Sequence, residues 1–121
     1  MRIIIVMGPA CAGKSTYIKR NFENFTVIDL YKYQEQNSTI AKMAESYENC
    51  KQDFLKAVKE GKDVILEHTL LRASKRKEYI NAIRKITNCD IECICLCPSF
   101  TTIRERRKLR NCYYGGDLAI Q

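Results

Sequence analysis

The chain has 121 residues, of which 45% are hydrophobic and 29% charged, with five Gly and two Pro. That suits one domain spanning residues 1–121 with a modest core, leaves no room for a second catalytic module, and excludes collagen, low-complexity chain and compositional disorder. The formal net charge of +7 is uneven: residues 1–60 carry nine bases against seven acids, and residues 61–121 carry twelve against seven. Arg104, Arg106, Arg107, Lys108 and Arg110 make up much of the second excess, so a local basic patch facing an anionic ligand is expected. A solvated helix face is the ordinary alternative.

In chain order, Arg2–Met7 is a short β-branched apolar run that predicts a buried strand and is far too short to cross a bilayer. No membrane association is expected. Gly8 to Gly13 is a turn segment, and Lys14–Phe22 predicts a helix with Tyr17, Ile18 and Phe22 as apolar contacts. Phe25–Asp29 predicts a second strand, ending in an acid. From about Ile40 to Glu60 the apolar residues recur near helical spacing, with Gly61 as a stop and a break at Asn49 and Cys50 left open. Asp63–Glu67 predicts a third strand, again ending in an acid. Tyr79, Ala82, Ile83 and Ile86 form a stripe on a helix predicted over Ala73–Ile86. Ile91–Leu96 supplies a fourth strand, stopped by Pro98, and a last helix is predicted over Thr101–Asn111.

Seven cysteines, at positions 11, 50, 89, 93, 95, 97 and 112, are an odd number, and free thiols in a reducing cytoplasm are expected. Cys93, Cys95 and Cys97 fall on one face of a strand in a row. That is poor zinc geometry in a chain with one histidine, His68, so a role as small buried hydrophobes is expected.

Strands alternating with helices predict a parallel sheet covered on both faces, with the ligand beyond the carboxyl ends of the strands. Gly8, Asp29, Glu67 and the residues after Leu96 then converge at one edge. Gly8-Pro9-Ala10-Cys11-Ala12-Gly13-Lys14-Ser15 matches G-x-x-x-x-G-K-[ST] without a mismatch, between a predicted strand and a predicted helix. Consecutive loop amides and the helix amino end suit a β-phosphate. Lys14 is expected to reach the β- and γ-phosphates of ATP, Ser15 to complete a Mg²⁺ shell, and Thr16 to support the α-phosphate side.

With this loop, the sequence resembles the P-loop kinases of the polynucleotide-kinase and zeta-toxin type, a group of AAA-type small kinases. Asp29 resembles the family's acid after the second strand, Val64-Ile65-Leu66-Glu67-His68-Thr69 its third-strand segment, and Glu105-Arg106-Arg107-Lys108-Leu109-Arg110 its lid. The resemblance implies an α/β, three-layer P-loop NTPase fold: a short, mostly parallel sheet of four or five strands flanked by helices, with an arginine-rich lid helix over approximately residues 99–112. It also implies transfer of a phosphoryl group from ATP to a hydroxyl, the acceptor being a nucleic acid 5′ end or a nucleotide-like small molecule. Two departures stand out. Tyr31 stands where many relatives carry a second acid, and His68 where an aspartate is common.

Phosphoryl transfer needs charge neutralisation and an oriented acceptor more than covalent help. Asp29 is the candidate to orient the acceptor hydroxyl or take its proton, with capping of the next turn as its structural alternative. Glu67 is the candidate for a metal-bound water, and Arg106 and Arg110, four apart on one helix face, for the migrating phosphoryl oxygens. Tyr31, Lys32, His68, Thr69 and Arg72 are candidates for the acceptor side. No sequence-reading helix, zinc finger or RNP motif is present, so sequence-specific DNA recognition is not expected. Two alternatives to a kinase remain: a nucleotide-hydrolysing switch or binding module, and a nucleotide-binding protein without catalysis.

Overall fold

The computed structural model describes residues 1–9, 12–34, 39–69, 72–97, 101 and 104–105. Four strands order as β2-β3-β1-β4, where β1 is Ile3–Met7, β2 Thr26–Asp29, β3 Val64–His68 and β4 Ile91–Cys95. All three pairings are parallel. β1 and β3 are buried along their whole length, which is why both are near-continuous apolar runs instead of alternating ones.

The helices lie on both faces. Ile3, Ile5 and Met7 of β1 share a cluster with Phe54 and Val58 of α2 (Ile40–Lys59) and with Tyr79 and Ile83 of α3 (Ala73–Arg84). The alternate residues Ile4 and Val6, with Ile65, pack against Ile18 of α1 (Lys14–Asn21) on the opposite face. The result is the expected three-layer α/β arrangement. It forms because period-two alternation along β1 offers one set of side chains to each helical layer.

At the amino edge of the sheet, Arg2 is the tie between elements. Its backbone N–H donates to Asp63 Oδ1 at 2.8 Å, and its guanidinium donates to Glu92 at 2.9 Å. The guanidinium also lies over the rings of Phe22 and Phe25, 5.7 and 5.5 Å from their centroids.

Several boundaries differ from expectation. β3 runs one residue further, through His68, because Met7 of β1 pairs with it. A 3₁₀ turn, Leu30–Tyr33, follows β2 directly, and it buries Leu30 in the α2–α3 core. Helix α2 runs unbroken through Asn49 and Cys50. Its start is capped by Thr39 Oγ1, which accepts from the Lys42 N–H at 3.3 Å, and the partly buried Ser46 hydroxyl donates to Lys42 O at 2.9 Å. Cys50 is fully buried in this helix, and burial above all pushes its thiol up to about 12, so it is an inert core residue.

The expected burial of Cys93, Cys95 and Cys97 is overturned: all three are exposed. Among the described residues β4 is an edge strand, with β1 as its one neighbour, and its α3-side face is left open at Cys93 and Cys95. Ile94 and Leu96 pack against the α1-side cluster, while Ile91, at the start of β4, packs against the α2–α3 core on the other face. The predicted last helix, with Arg106 and Arg110, lies outside the described residues apart from Thr101, Arg104 and Glu105. No helix among the described residues is long and apolar enough to cross a membrane.

Phe54 has no solvent exposure and meets Tyr79 edge-on at 5.8 Å. Phe54→Ala removes from the α2–α3 core the largest fully buried side chain among the described residues, and a loss of about 3–5 kcal/mol in urea denaturation is expected. A loss below about 1 kcal/mol would mean that this layer packs loosely.

Candidate functional site

The loop between β1 and α1 is shaped by two glycines. A methyl group on Gly8 would sit 2.5 Å from the Leu96 carbonyl oxygen and 3.2 Å from the Ala12 side chain, so only glycine lets β1 leave the sheet beside the end of β4. Gly13 adopts φ 89, ψ 21, a left-handed conformation that starts α1 without a side-chain cap. Between them the Ala12 N–H donates to Pro9 O at 3.1 Å, and Ala12 is buried. Ala10 and Cys11, expected to contribute amides here, lie outside the described residues.

Lys14 turns back over this loop. Its Nζ donates to Gly8 O at 2.7 Å and to Pro9 O at 3.1 Å. Ser15, exposed in the first turn of α1, donates from Oγ to Glu67 Oε1 at 2.7 Å, across 52 positions of sequence. Thr16 is exposed one residue further on.

Glu67 is only 6% exposed. Burial raises its pKa, and the approach of Asp29 adds to this, while the Ser15 hydrogen bond and the charges of Lys14 and Lys32 oppose it. Asp29 and Glu67 are register partners across β2 and β3, so two carboxyls converge at the carboxyl edge of the sheet. The Asp29 Oδ1 oxygen accepts from the Tyr31 N–H at 3.0 Å, capping the 3₁₀ turn. That is the structural role weighed for this acid, and it engages one carboxylate oxygen.

A hydroxyl and a buried carboxyl group held at 2.7 Å form an oxygen donor pair of the hardness that Mg²⁺ prefers. The positive charge of a cation would also offset the burial that now raises Glu67. Ser15 and Glu67 therefore fit the ion. Among the described residues no group of three or more His, Cys, Asp or Glu could hold a metal ion by itself.

His68, next along β3, is 4% exposed and sits between two aromatic rings, Tyr47 at 5.7 Å and Tyr79 at 5.6 Å. Its Nδ1 is buried with no hydrogen-bond partner among the described residues. Sequence pattern marked Tyr79 as core and Tyr47 as packing, and nothing in their spacing signalled that both close around the histidine. Burial, followed by the charges of Lys14 and Lys75, lowers the His68 pKa to about 4. Lys32, Thr69 and Arg72 are exposed, and Tyr31 is 60% exposed. Arg72 immediately precedes α3, whose first turn holds no acid.

The AAA domain family matches residues 3–117. The chain belongs to this family. No curated protein matches the AAA domain described here. Among solved structures, its fold is similar to a chain in a structure of the Pnkp1/Rnl/Hen1 RNA repair complex, with a TM-score of 0.79 at 14% identity over 98% of this chain and 41% of that one. It is also similar to a sugar kinase from Janibacter sp. HTCC2649 (TM-score 0.65, 14% identity, 93% of this chain and 69% of that one). A gluconokinase from Sinorhizobium meliloti 1021 gives a TM-score of 0.55 at 19% identity, over 97% of this chain and 70% of that one. The chain thus spans well under half the length of the RNA-repair chain it resembles, and the likeness to kinases is one of fold.

A depressed histidine pKa carries a signed consequence for stability. Between about 6.5 and 4 the unfolded chain binds the His68 proton and the folded chain does not, so acidification through this window favours unfolding. His68→Phe removes that contribution while keeping a ring between Tyr47 and Tyr79. Urea denaturation at pH 7 and pH 4 should show the parent losing about 3 kcal/mol more than the variant. Equal losses would mean that His68 titrates as it does in the unfolded chain.

Proposed function

We propose that this AAA domain is a Mg²⁺-dependent kinase that transfers the γ-phosphoryl group of ATP to a hydroxyl acceptor. The observation that carries the proposal is the convergence, at one sheet edge, of Lys14 on the loop carbonyls, Ser15 bonded to Glu67, and Asp29 beside Glu67. Few arrangements other than a phosphate site bring a glycine loop, a helix amino end, a lysine and two carboxyls together.

In this proposal Gly8, Pro9, Ala10, Cys11, Ala12, Gly13 and Thr16 offer backbone or hydroxyl groups to the donor phosphates. Lys14 exchanges its carbonyl partners for the β- and γ-phosphate oxygens. Ser15 and Glu67 hold Mg²⁺, which when bound neutralises charge on the phosphates. Asp29 orients the acceptor hydroxyl with the carboxylate oxygen left over from the cap, and receives its proton as the new O–P bond forms. Arg106 and Arg110, assigned from their spacing, neutralise charge on the migrating phosphoryl oxygens as a lid.

The acceptor side is edged by Tyr31, Lys32, His68, Thr69 and Arg72. No acid lies in the first turn of α3 to offset the positive end of its dipole, which favours an acceptor carrying negative charge. The RNA-repair likeness makes a nucleic acid 5′-hydroxyl the first acceptor to test, and the sugar-kinase and gluconokinase likenesses add small polyols.

A panel of 5′-hydroxyl oligonucleotides, nucleosides, sugars and amino sugars, assayed with γ-labelled ATP, tests the proposal. Transfer to at least one acceptor is expected, abolished by Lys14→Ala and reduced at least about tenfold by Asp29→Asn. Phosphate release that no acceptor accelerates would identify a hydrolysing switch instead, and absence of nucleotide turnover would identify a binding module.

Glu67→Gln separates stability from binding. Because burial raises the Glu67 pKa, ionising this group costs folding stability as pH rises above the ordinary carboxyl range. The ligand-free variant should melt at a higher temperature than the parent at pH 8, yet gain less on adding Mg²⁺-ATP. A variant that melts lower, or that gains as much from the nucleotide, would remove Glu67 from the metal role.

A further inference from the structure

Beyond the donor site, the exposed thiols at the end of β4 form a feature that phosphoryl transfer does not use. Cys95 Sγ and Cys97 Sγ lie 3.1 Å apart, both exposed. The residue between them, Leu96, donates its N–H to Met7 O at 2.9 Å, its side chain reaches the α1-side core, and its carbonyl oxygen abuts Gly8. The two sulfurs therefore flank the backbone that borders the first glycine of the loop.

We infer that Cys95 and Cys97 are a modification site for low-molecular-weight disulfides, closing reversibly to an intramolecular disulfide that displaces Leu96 from Gly8 and weakens the phosphate loop. The link to nucleotide rests on the proposed donor site; the modification itself does not.

Strand geometry explains both the pairing and its consequence. Residues two apart in an extended strand are separated by about 6.6 Å between Cα atoms, close to the upper end, about 6.8 Å, of the span a disulfide bridges. Because disulfides most often span about 5.5–6 Å, closing the ring favours drawing the Cα atoms together and bending the chain at Leu96. Cys93 and Cys95 share the same spacing, but both are held in register against β1, opposite Ile5 and Met7. Cys97 lies beyond the end of the strand, so the Cys95–Cys97 segment is the one that can bend. The hydrogen bond to Cys97, more than burial, raises the Cys95 thiol above its usual pKa, while Arg76 opposes the shift. Attack therefore proceeds through a minor thiolate fraction and is slow near neutrality.

The chemistry is thiol–disulfide exchange with oxidised glutathione or a similar disulfide as the oxidant. One protein thiolate attacks a sulfur of the small disulfide, forming a mixed disulfide and expelling a small thiolate. The second protein thiolate then attacks the protein sulfur of that mixed disulfide, expelling the other small thiolate. Two protein thiols lose two protons and two electrons, which the small disulfide takes up to become two thiols. A ring spanning only three residues is strained, which places it among readily reduced, switch-like disulfides.

The test uses the full chain, incubated with oxidised glutathione at pH 8, alkylated and digested for mass spectrometry. A peptide carrying Cys95 and Cys97, lighter by two hydrogens and unalkylated at both, is expected; it should return to two alkylated thiols after dithiothreitol and be lost in Cys95→Ser and in Cys97→Ser, but not in Cys93→Ser. Amide exchange by NMR, which needs no nucleotide, should show the Leu96 N–H losing at least about tenfold of its protection on oxidation. Mg²⁺-ATP affinity of the oxidised chain should fall by about tenfold or more and recover on reduction.

Glutathione retained on one cysteine, or a link joining either residue to another cysteine, overturns the assignment. A Cys95–Cys97 link with unchanged Leu96 exchange overturns the coupling. If the reduced chain itself fails to bind Mg²⁺-ATP, the donor-site proposal fails, while the mapped disulfide and the exchange data still decide the modification site.

Discussion

Glu67 is the penultimate residue of a strand in which every residue is buried, and a carboxyl group in that position needs a donor close by. Ser15 meets the need at 2.7 Å, and in doing so fastens the first turn of α1 to the end of β3. Since α1 begins at Gly13, the same bond fixes where the phosphate loop closes. The satisfaction is incomplete: one hydroxyl does not offset burial, and the acid remains harder to ionise than in water. Lys14 contributes charge nearby, but its ammonium is held by carbonyls of Gly8 and Pro9. The site thus stores an electrostatic deficit that a cation with bound phosphates would relieve. A binding site is selected for this kind of imbalance, because a fully satisfied network gains little from a ligand.

The sheet was legible from the chain because the forces that form it are local and periodic. Ile3 to Met7 and Val64 to His68 are apolar without alternation, as strands covered on both faces must be. The turn from β1 into α1 was equally plain, since glycine spacing and an adjacent Lys-Ser pair reflect backbone geometry that few other sequences satisfy. Glu67 followed from its place at a strand end.

What could not be read depended on contacts between distant segments. No pattern in α2 or α3 announces that Tyr47 and Tyr79 enclose His68, because aromatic residues at helical spacing look the same whether they face a core or a site. The 3₁₀ turn after β2 was missed for a related reason. Its formation rests on Asp29 capping Tyr31 and on Leu30 finding the α2–α3 core, and only the first is local. The cysteines of β4 misled in the other direction. Alternation correctly set Cys93 and Cys95 on one face, but burial of that face depends on what lies over it, which alternation does not encode.

The two edges of the sheet divide the work of the fold. At the amino edge Arg2 joins Asp63, Glu92 and two aromatic rings, contacts that are exposed and individually weak but tolerant of small shifts. At the carboxyl edge the critical approach is backbone against backbone, Gly8 beside the Leu96 carbonyl, where there is no flexible side chain to absorb a displacement. A movement at Leu96 therefore has two outcomes: it breaks the bond to Met7, or it carries the start of the loop with it. Rigid contacts of this kind transmit a perturbation instead of damping it. Chemistry on the exposed tip of an edge strand can consequently act on a phosphate loop that it never touches.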